Sequence, residues 1–184
     1  MPKGFVFGFD DFKEVVPRTT FDRAVGEFCR KELLFKVYRG MYCSYTQTGF
    51  GAGLPSAQAL IEGISRKTGE VITSSGAMDA NLFGLDNAFP TRHRYYTSGR
   101  TRVVRLGWKE IELKHASGWK MYRPNEKLGG LLRAIDYIGK DHIASVKDKI
   151  CSHVTQEEME DLYNDRNLFP VWIKNFLSEV MYDK

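Results

Sequence analysis

Apolar residues along this chain recur at helical spacing in some segments and alternate in others, which predicts a mixed α+β fold. Residues 10–16 predict a short helix that Pro17 stops, because proline cannot continue the helical hydrogen-bond ladder. Thr19 or Thr20 then caps a second helix, whose apolar stripe extends to about Glu32.

Two extended segments follow this helix, at residues 34–38 and 41–45, and residues 39–40 (Arg-Gly) supply a hairpin turn between them. Helix, tight turn, helix and β-hairpin is the order of a winged helix-turn-helix, a module that commonly binds nucleic acid. We therefore expect such a domain over residues 1–46. Residues 46–54 are rich in glycine and threonine and are the best linker candidate.

The remaining residues, 55–184, predict a small mixed α/β domain that ends in a helical tail. The expected helices begin after Ser56, Ser75, Asn125 or Glu126, Thr155 and Pro170, with a capping box at residues 155–158. The glycines that end three of these helices are Gly69, Gly84 and Gly139. The expected strands lie at residues 71–73, 94–97, 102–106 and 110–114, with turns at Ser98-Gly99 and Gly107-Trp108.

Composition favours a folded protein of a reducing compartment. Hydrophobic residues make up 42% and charged residues 27% of the 184 positions, so the chain can bury a core. Apolar runs fall short of the roughly 18 residues that a membrane span requires, so we expect no membrane partner. The cysteines Cys29, Cys43 and Cys151 are odd in number and form no CxxC pair, which favours free thiols and a cytoplasmic location.

The net charge of +4 is only weakly basic, but the basic residues are clustered, which indicates a polyanionic partner for one face. Short polar and basic side chains at the start of a recognition helix reach phosphates and base edges, and a basic wing reaches the flanking backbone. The candidate DNA-binding residues are Arg18, Thr19, Thr20, Arg23, Arg30, Lys36 and Arg39. A candidate second basic patch comprises Arg92, Arg94, Arg100, Arg102 and Arg105.

Several motifs, taken in order, resemble the AbiEi-type antitoxin family of type IV toxin–antitoxin and abortive-infection systems. They are KVYRGMY (36–42), SGAMDANLFGL (75–85), YYTSGRTRVVRLG (95–107), LLRAIDYIGKD (131–141) and LFPVWIKNFL (168–177). Each motif alone is weak, but their order and spacing are fairly specific, and the resemblance extends from about Gly4 to Leu177. One departure is that only a few residues precede Phe7, where family members usually have a full helix. The first helix of the winged fold is therefore missing or supplied by another element.

The resemblance implies a winged helix that binds operator DNA and represses its own operon, followed by an antitoxin domain, with no catalytic residues and no cofactor. The implied functional partner is a nucleotidyltransferase-like toxin, which need not bind the antitoxin stably. The family's recognition-helix positions correspond to Arg18, Thr19, Thr20 and Arg23, and the wing arginine corresponds to Arg39.

Two other functions stay open at this point. Glu112 and Lys114 match the E-x-K pattern of metal-dependent nucleases, with Asp79 or Asp86 as an upstream acid, although this pattern is frequent by chance. The four histidines share no metal-ligand spacing, so we expect no bound metal. The missing first helix and the acidic residues 157–165 would instead suit a module that docks another protein.

Overall fold

The computed structural model describes residues 4–48, 51–87, 93–106 and 109–182, which form a mixed α+β protein. The α-helices are α1 (Arg18–Arg30), α2 (Ala57–Thr68), α3 (Gly76–Leu82), α4 (Lys127–Ile138), α5 (Lys147–Ser152), α6 (Gln156–Asn164) and α7 (Val171–Tyr182). The strands are β1 (Val6–Gly8), β2 (Leu34–Tyr38), β3 (Met41–Ser44), β4 (Thr46–Thr48), β5 (Gly51–Gly53), β6 (Ile72–Ser74), β7 (His93–Thr97), β8 (Arg102–Leu106) and β9 (Lys109–His115). Short 3-10 helices lie at Phe9–Asp11, Gly118–Met121, Ile143–Val146 and Arg166–Leu168.

Local signals in the sequence correctly predict where α2 begins and ends and where α6 begins. The Ser56 hydroxyl accepts a hydrogen bond from the Ala59 amide at 3.1 Å, and Gly69 ends α2 in the left-handed conformation with φ of 71°. At α6 the capping box is complete. The Thr155 hydroxyl accepts from the Glu158 amide at 3.2 Å, and the Glu158 carboxylate accepts from the Thr155 amide at 2.9 Å.

Two expectations at the amino-terminal end are wrong. Residues 10–16 form no α-helix; the 3-10 helix Phe9–Asp11 is followed by hydrogen-bonded turns. The Asp11 carboxylate accepts the Gly8 amide at 2.8 Å and tightens this turn, and Pro17 stops the chain before a longer helix can form. Pro17 itself is the N-cap of α1 and makes no side-chain cap. Thr19 and Thr20 therefore lie inside the first turn instead of capping the helix.

The predicted hairpin is confirmed, and it continues into the predicted linker. Leu34 pairs with Ser44 at the open end, and Gly40 has φ of 63° in the turn, a conformation that glycine adopts without strain. Beyond it, Thr46 pairs with Gly53 in a second antiparallel pair, β4 with β5. Residues 46–48 and 51–53 therefore form paired strands within the predicted linker. The predicted turn at residues 107–108 lies outside the described residues.

The chain divides into two compact units, and each unit is made of two separate stretches of the sequence. The first unit comprises Met1–Ile72 and Thr101–Leu113, and the second comprises Thr73–Arg100 and Lys114–Lys184. Strand β8 therefore belongs to the first unit although it follows α3 in the sequence. The predicted domains, residues 1–46 and 55–184, stay a prediction. Among the described residues, no helix is long and apolar enough to cross a membrane.

In the first unit, an antiparallel sheet in the order β1-β3-β2 lies between α1 and α2. Phe7 and Tyr42 are paired across β1 and β3 and pack against the apolar side of α1. The alternate residues Val6 and Met41 point to the other face. There, a side chain at Gly63 of α2 would approach atoms of both at 2.8 Å, so only glycine allows α2 to pack this closely.

In the second unit, helices α3 to α7 surround one large apolar core. Its buried members include Ala80 of α3, Leu131 of α4, Ile150 of α5, Leu162 of α6 and Phe176 of α7. Every helix from α3 to α7 thus contributes to the same core, which includes the predicted helical tail. The tail is part of the folded unit.

Candidate nucleic-acid interface

Helix α1 separates an apolar side from a polar side. Phe21 and Val25 are only 6% and 5% exposed. The ring centroids of Phe9 and Phe12 lie 5.6 and 5.7 Å from that of Phe21. An aromatic cluster therefore buries the back of α1, without an α-helix before it in the described residues. The polar side leaves the predicted residues Arg18, Thr19, Thr20, Arg23 and Arg30 exposed.

The two arginines at the start of α1 are each close to a carboxylate one turn ahead. The Arg18 Nε atom lies 3.1 and 2.9 Å from the two carboxylate oxygens of Asp22. The Arg23 Nε atom lies 4.0 Å from a Glu27 oxygen. Both pairs are at least half exposed on the arginine side, so they contribute little to stability, but they cancel the local positive charge. This end of α1 is polar and close to neutral.

The hairpin presents Lys36 and Arg39 to solvent. Lys36 pairs with Tyr42 and so lies on the sheet face that α1 covers, whereas Tyr38 pairs with Met41 on the opposite face. Val37 is the extra residue of a β-bulge, which changes the direction of the side chains that follow it. The bulge therefore sets where Arg39 stands at the turn.

Lys67, in the last turn of α2, reaches the same turn. Its ammonium group donates to the Arg39 carbonyl oxygen at 2.7 Å, and a side chain at Gly40 would approach that nitrogen at 2.8 Å. The sequence analysis missed this lysine, because nothing local relates the end of α2 to a turn 28 residues earlier. Within the described part of the chain, no carboxylate pairs with Lys36, Arg39 or Lys67.

The neighbouring Arg66 differs from Lys67 because its guanidinium lies close to a carboxylate. It donates to the Val6 carbonyl oxygen at 2.6 Å, lies 4.5 Å from the centroid of the Phe5 ring, and is 3.8 Å from an Asp11 oxygen. These contacts join α2 to β1 and to the 3-10 turn. Arg66 therefore stabilises the packing of α2 against β1. It does not belong with Lys36, Arg39 and Lys67, which have no carboxylate partner in the described part of the chain.

The predicted second basic patch stays a prediction, and two of its arginines contact carboxylates. Arg102 contacts Glu70 at 2.8 Å and Arg105 contacts Glu110 at 3.1 Å. Along β8 the two arginines lie on opposite faces, since they are three residues apart on a strand. Arg94 and Arg100 belong to the second unit, and Arg92 lies outside the described residues.

The second unit contains a buried ion pair that the sequence analysis did not predict. The Arg133 Nε atom of α4 lies 2.8 Å from an Asp79 carboxylate oxygen of α3, and the two side chains are 2% and 4% exposed. The Ser74 hydroxyl donates to the other Asp79 oxygen at 2.5 Å, and Arg133 also donates to the Lys120 carbonyl oxygen at 3.4 Å. Burial raises the pKa of Asp79, although Arg133 and the Ser74 hydrogen bond act to lower it.

This pair joins two of the motifs described above, SGAMDANLFGL and LLRAIDYIGKD. Helices α3 and α4 approach closely at Gly76, where any side chain would collide with the Arg133 carbonyl oxygen. These motif residues therefore position two helices against each other. Asp79, considered above as a nuclease acid, is committed to Arg133 and Ser74.

The nuclease alternative stays a prediction, and its candidate acids do not share one element. Glu112 is half-buried and Lys114 is exposed on β9, where residues two apart share one face. Asp86 is hydrogen-bonded with the Tyr137 hydroxyl. Among the residues the structure describes, no three His, Cys, Asp or Glu side chains are grouped closely enough to hold a metal ion.

The acidic stretch of residues 157–165 is partly neutralised within the second unit. Glu158 contacts Lys127 at 2.7 Å, and Asp161 contacts Arg123 at 3.0 Å. The Tyr122 hydroxyl donates to Asp165 at 2.6 Å. These acids therefore hold α6 against the start of α4 and the segment before it, and they do not form a wholly free acidic face.

Comparison with known proteins identifies the family of this chain but not its function. A family model described as a family of unknown function (DUF6088) matches residues 1–162, so the chain belongs to that family. No curated protein matches the chain. No solved structure matches it either.

Proposed function

We propose that this member of the DUF6088 family binds double-stranded DNA through its first unit, and that it acts as the antitoxin and transcriptional autorepressor of a type IV toxin–antitoxin pair. The observation that supports DNA binding is the group of exposed cations at the hairpin, Lys36, Arg39 and Lys67, which have no carboxylate partner among the described residues. Exposed cations without a carboxylate partner suit contact with phosphates.

Under this proposal, α1 is the recognition helix and the β2–β3 hairpin is the wing of a winged helix-turn-helix. The aromatic cluster of Phe7, Phe9 and Phe12 buries the side of α1 that the first helix of a winged fold would cover. Thr19 and Thr20 then lie free on the exposed side, where short polar side chains can reach base edges.

The antitoxin role rests on the ordered motifs that resemble the AbiEi-type family. Two of these motifs meet at the Asp79–Arg133 pair and build a helix interface within the second unit. Under this proposal, the functional partner is a nucleotidyltransferase-like toxin encoded beside this chain, and the protein itself catalyses no reaction.

DNA binding is tested by fluorescence anisotropy with a labelled duplex from the promoter of the protein's own operon. A scrambled duplex of equal length and composition is the control. We expect affinity to fall as a power of the salt concentration and the promoter duplex to bind more tightly than the control. If neither duplex binds at physiological salt, the DNA-binding proposal is wrong.

The antitoxin role needs a separate test, namely co-expression with the adjacent gene in a bacterial host while growth is measured. We expect the adjacent gene to arrest growth and this protein to restore it. An arrest that this protein does not relieve would refute the antitoxin role and leave DNA binding to stand alone.

A further inference from the structure

We infer that the surface that contacts DNA phosphates is the end of the β2–β3 hairpin together with the last turn of α2, and that the start of α1 contributes little to it. Lys36, Arg39 and Lys67 form this surface, which we call the hairpin-end cations. The inference rests on the proposed DNA binding and deepens it by assigning Lys67, which lies outside the helix-hairpin segment, to the same interface.

The three cations lie near one hairpin turn, although they come from both faces of the sheet. Lys36 stands on the face that α1 covers, Arg39 occupies the turn, and Lys67 arrives from α2, which packs on the opposite face. Lys36 and Arg39 are three residues apart, so their backbones are separated by about 10 Å at most. Phosphates along one strand of a duplex repeat on a similar scale of several ångströms, so neighbouring phosphates can meet neighbouring cations.

Lys67 is held in place by a neutral partner, so no carboxylate cancels its positive charge. Its hydrogen-bond partner is the Arg39 carbonyl oxygen, a neutral acceptor, and an ammonium group has two further N–H donors. The contact fixes both the lysine and the turn before any ligand arrives, which lowers the entropy lost on binding. Gly40 is necessary here because a side chain would occupy the space of the ammonium group.

Charge separates this surface from the start of α1. A phosphate that approaches Arg18 or Arg23 also approaches the carboxylate of Asp22 or Glu27, which repels it. A phosphate that approaches the hairpin-end cations meets no such paired carboxylate in the described part of the chain. Since counterion release follows the net number of phosphates neutralised, the salt dependence should come from the hairpin end.

The experiment compares two double variants of the full chain that each remove two positive charges. Lys36→Gln/Lys67→Gln changes the hairpin end, and Arg18→Gln/Arg23→Gln changes the start of α1. The logarithm of the affinity for the promoter duplex is measured against the logarithm of the salt concentration. We expect the first variant to lower the slope by about two units and the second by less than about half a unit.

Three controls keep structural effects separate from charge. Thermal unfolding shows whether each variant is folded, and Lys67→Arg should keep the wild-type slope because it keeps the charge. Lys36→Gln alone should lower the slope by about one unit, and this lysine makes no ion pair in the described structure whose loss could disturb the fold.

The outcomes separate this inference from the proposed function. If the wild-type protein binds no duplex, DNA binding itself is refuted. If the wild type binds and Arg18→Gln/Arg23→Gln lowers the slope as much as Lys36→Gln/Lys67→Gln, or more, the phosphates are contacted elsewhere. In that case the hairpin-end assignment is wrong, although DNA binding stands.

Discussion

Replacement of Arg133 by methionine should destabilise the second unit strongly and in a pH-dependent way. Arg133 is the main partner of the Asp79 carboxylate, and both side chains are almost fully buried. Methionine fills a similar volume without charge, so the change isolates the electrostatic loss. Removal of one partner of a buried pair typically costs about 3–5 kcal/mol, because the other charge stays buried and unpaired.

The direction of the pH dependence follows from the pKa of Asp79. Burial already raises this pKa in the native protein, while an unfolded aspartate has a pKa of about 3.9. At a pH between these two pKa values, the folded state binds more protons than the unfolded state. The free energy of unfolding therefore falls as pH rises through this range. Without Arg133 the native pKa rises further, so the variant should lose stability over a wider pH range than the wild type.

Urea unfolding of both proteins at pH 5 and pH 7.5, followed by circular dichroism, measures this effect. We expect the free energy of unfolding of Arg133→Met to lie about 3–5 kcal/mol below that of the wild type at pH 7.5, and closer to it at pH 5. Lys127→Met, which removes the more exposed pair with Glu158, should cost only about 0–1 kcal/mol. A penalty for Arg133→Met that is small or equal at both pH values would refute the reasoning.

Three further predictions concern packing, capping and thiol reactivity. Gly76→Ala should destabilise the protein by about 1–3 kcal/mol in urea unfolding because the added Cβ atom collides with the backbone of α4, whereas Gly26→Ala, which meets no atom within 4 Å, should be neutral or stabilising. Thr155→Ala should cost about 1 kcal/mol in the same assay, since it removes the side-chain cap of α6, and an unchanged stability would contradict that role. Cys43 is 0% exposed and burial raises the pKa of its thiol to about 11, so iodoacetamide at pH 8 should modify it only after unfolding; mass spectrometry that finds native Cys43 alkylated rapidly would contradict this burial.

The amino-acid sequence by itself determined the elements whose limits depend on a few adjacent residues. The β2–β3 hairpin follows from alternating apolar residues around an Arg-Gly turn, and α2 follows from Ser56 and Gly69 at its two ends. The capping box of α6 is likewise local, because all its hydrogen bonds lie within residues 155–158. Of the interface, the sequence indicated Lys36 and Arg39, since both stand on that hairpin.

Only the tertiary structure decided which cations gather at the hairpin end. The carboxylates beside Arg18 and Arg23 lie four residues further along α1, so those two pairs follow from the sequence once the helix is predicted. The position of Lys67 at the hairpin turn depends on how α2 packs on the sheet, and Gly63 permits that packing. Such distances between distant segments leave no periodic or capping signal in the chain.

The same reason explains why the Asp79–Arg133 pair and the aromatic cluster were not foreseen. Asp79 and Arg133 are 54 residues apart, and an arginine in an amphipathic helix gives no sign of burial until its carboxylate partner is in place. The sequence predicted a helix over residues 10–16, yet the chain forms a 3-10 helix at Phe9–Asp11, and the rings of Phe9 and Phe12 pack against Phe21. Local hydrogen bonding determined the elements, and burial of side chains between distant elements determined how they assemble.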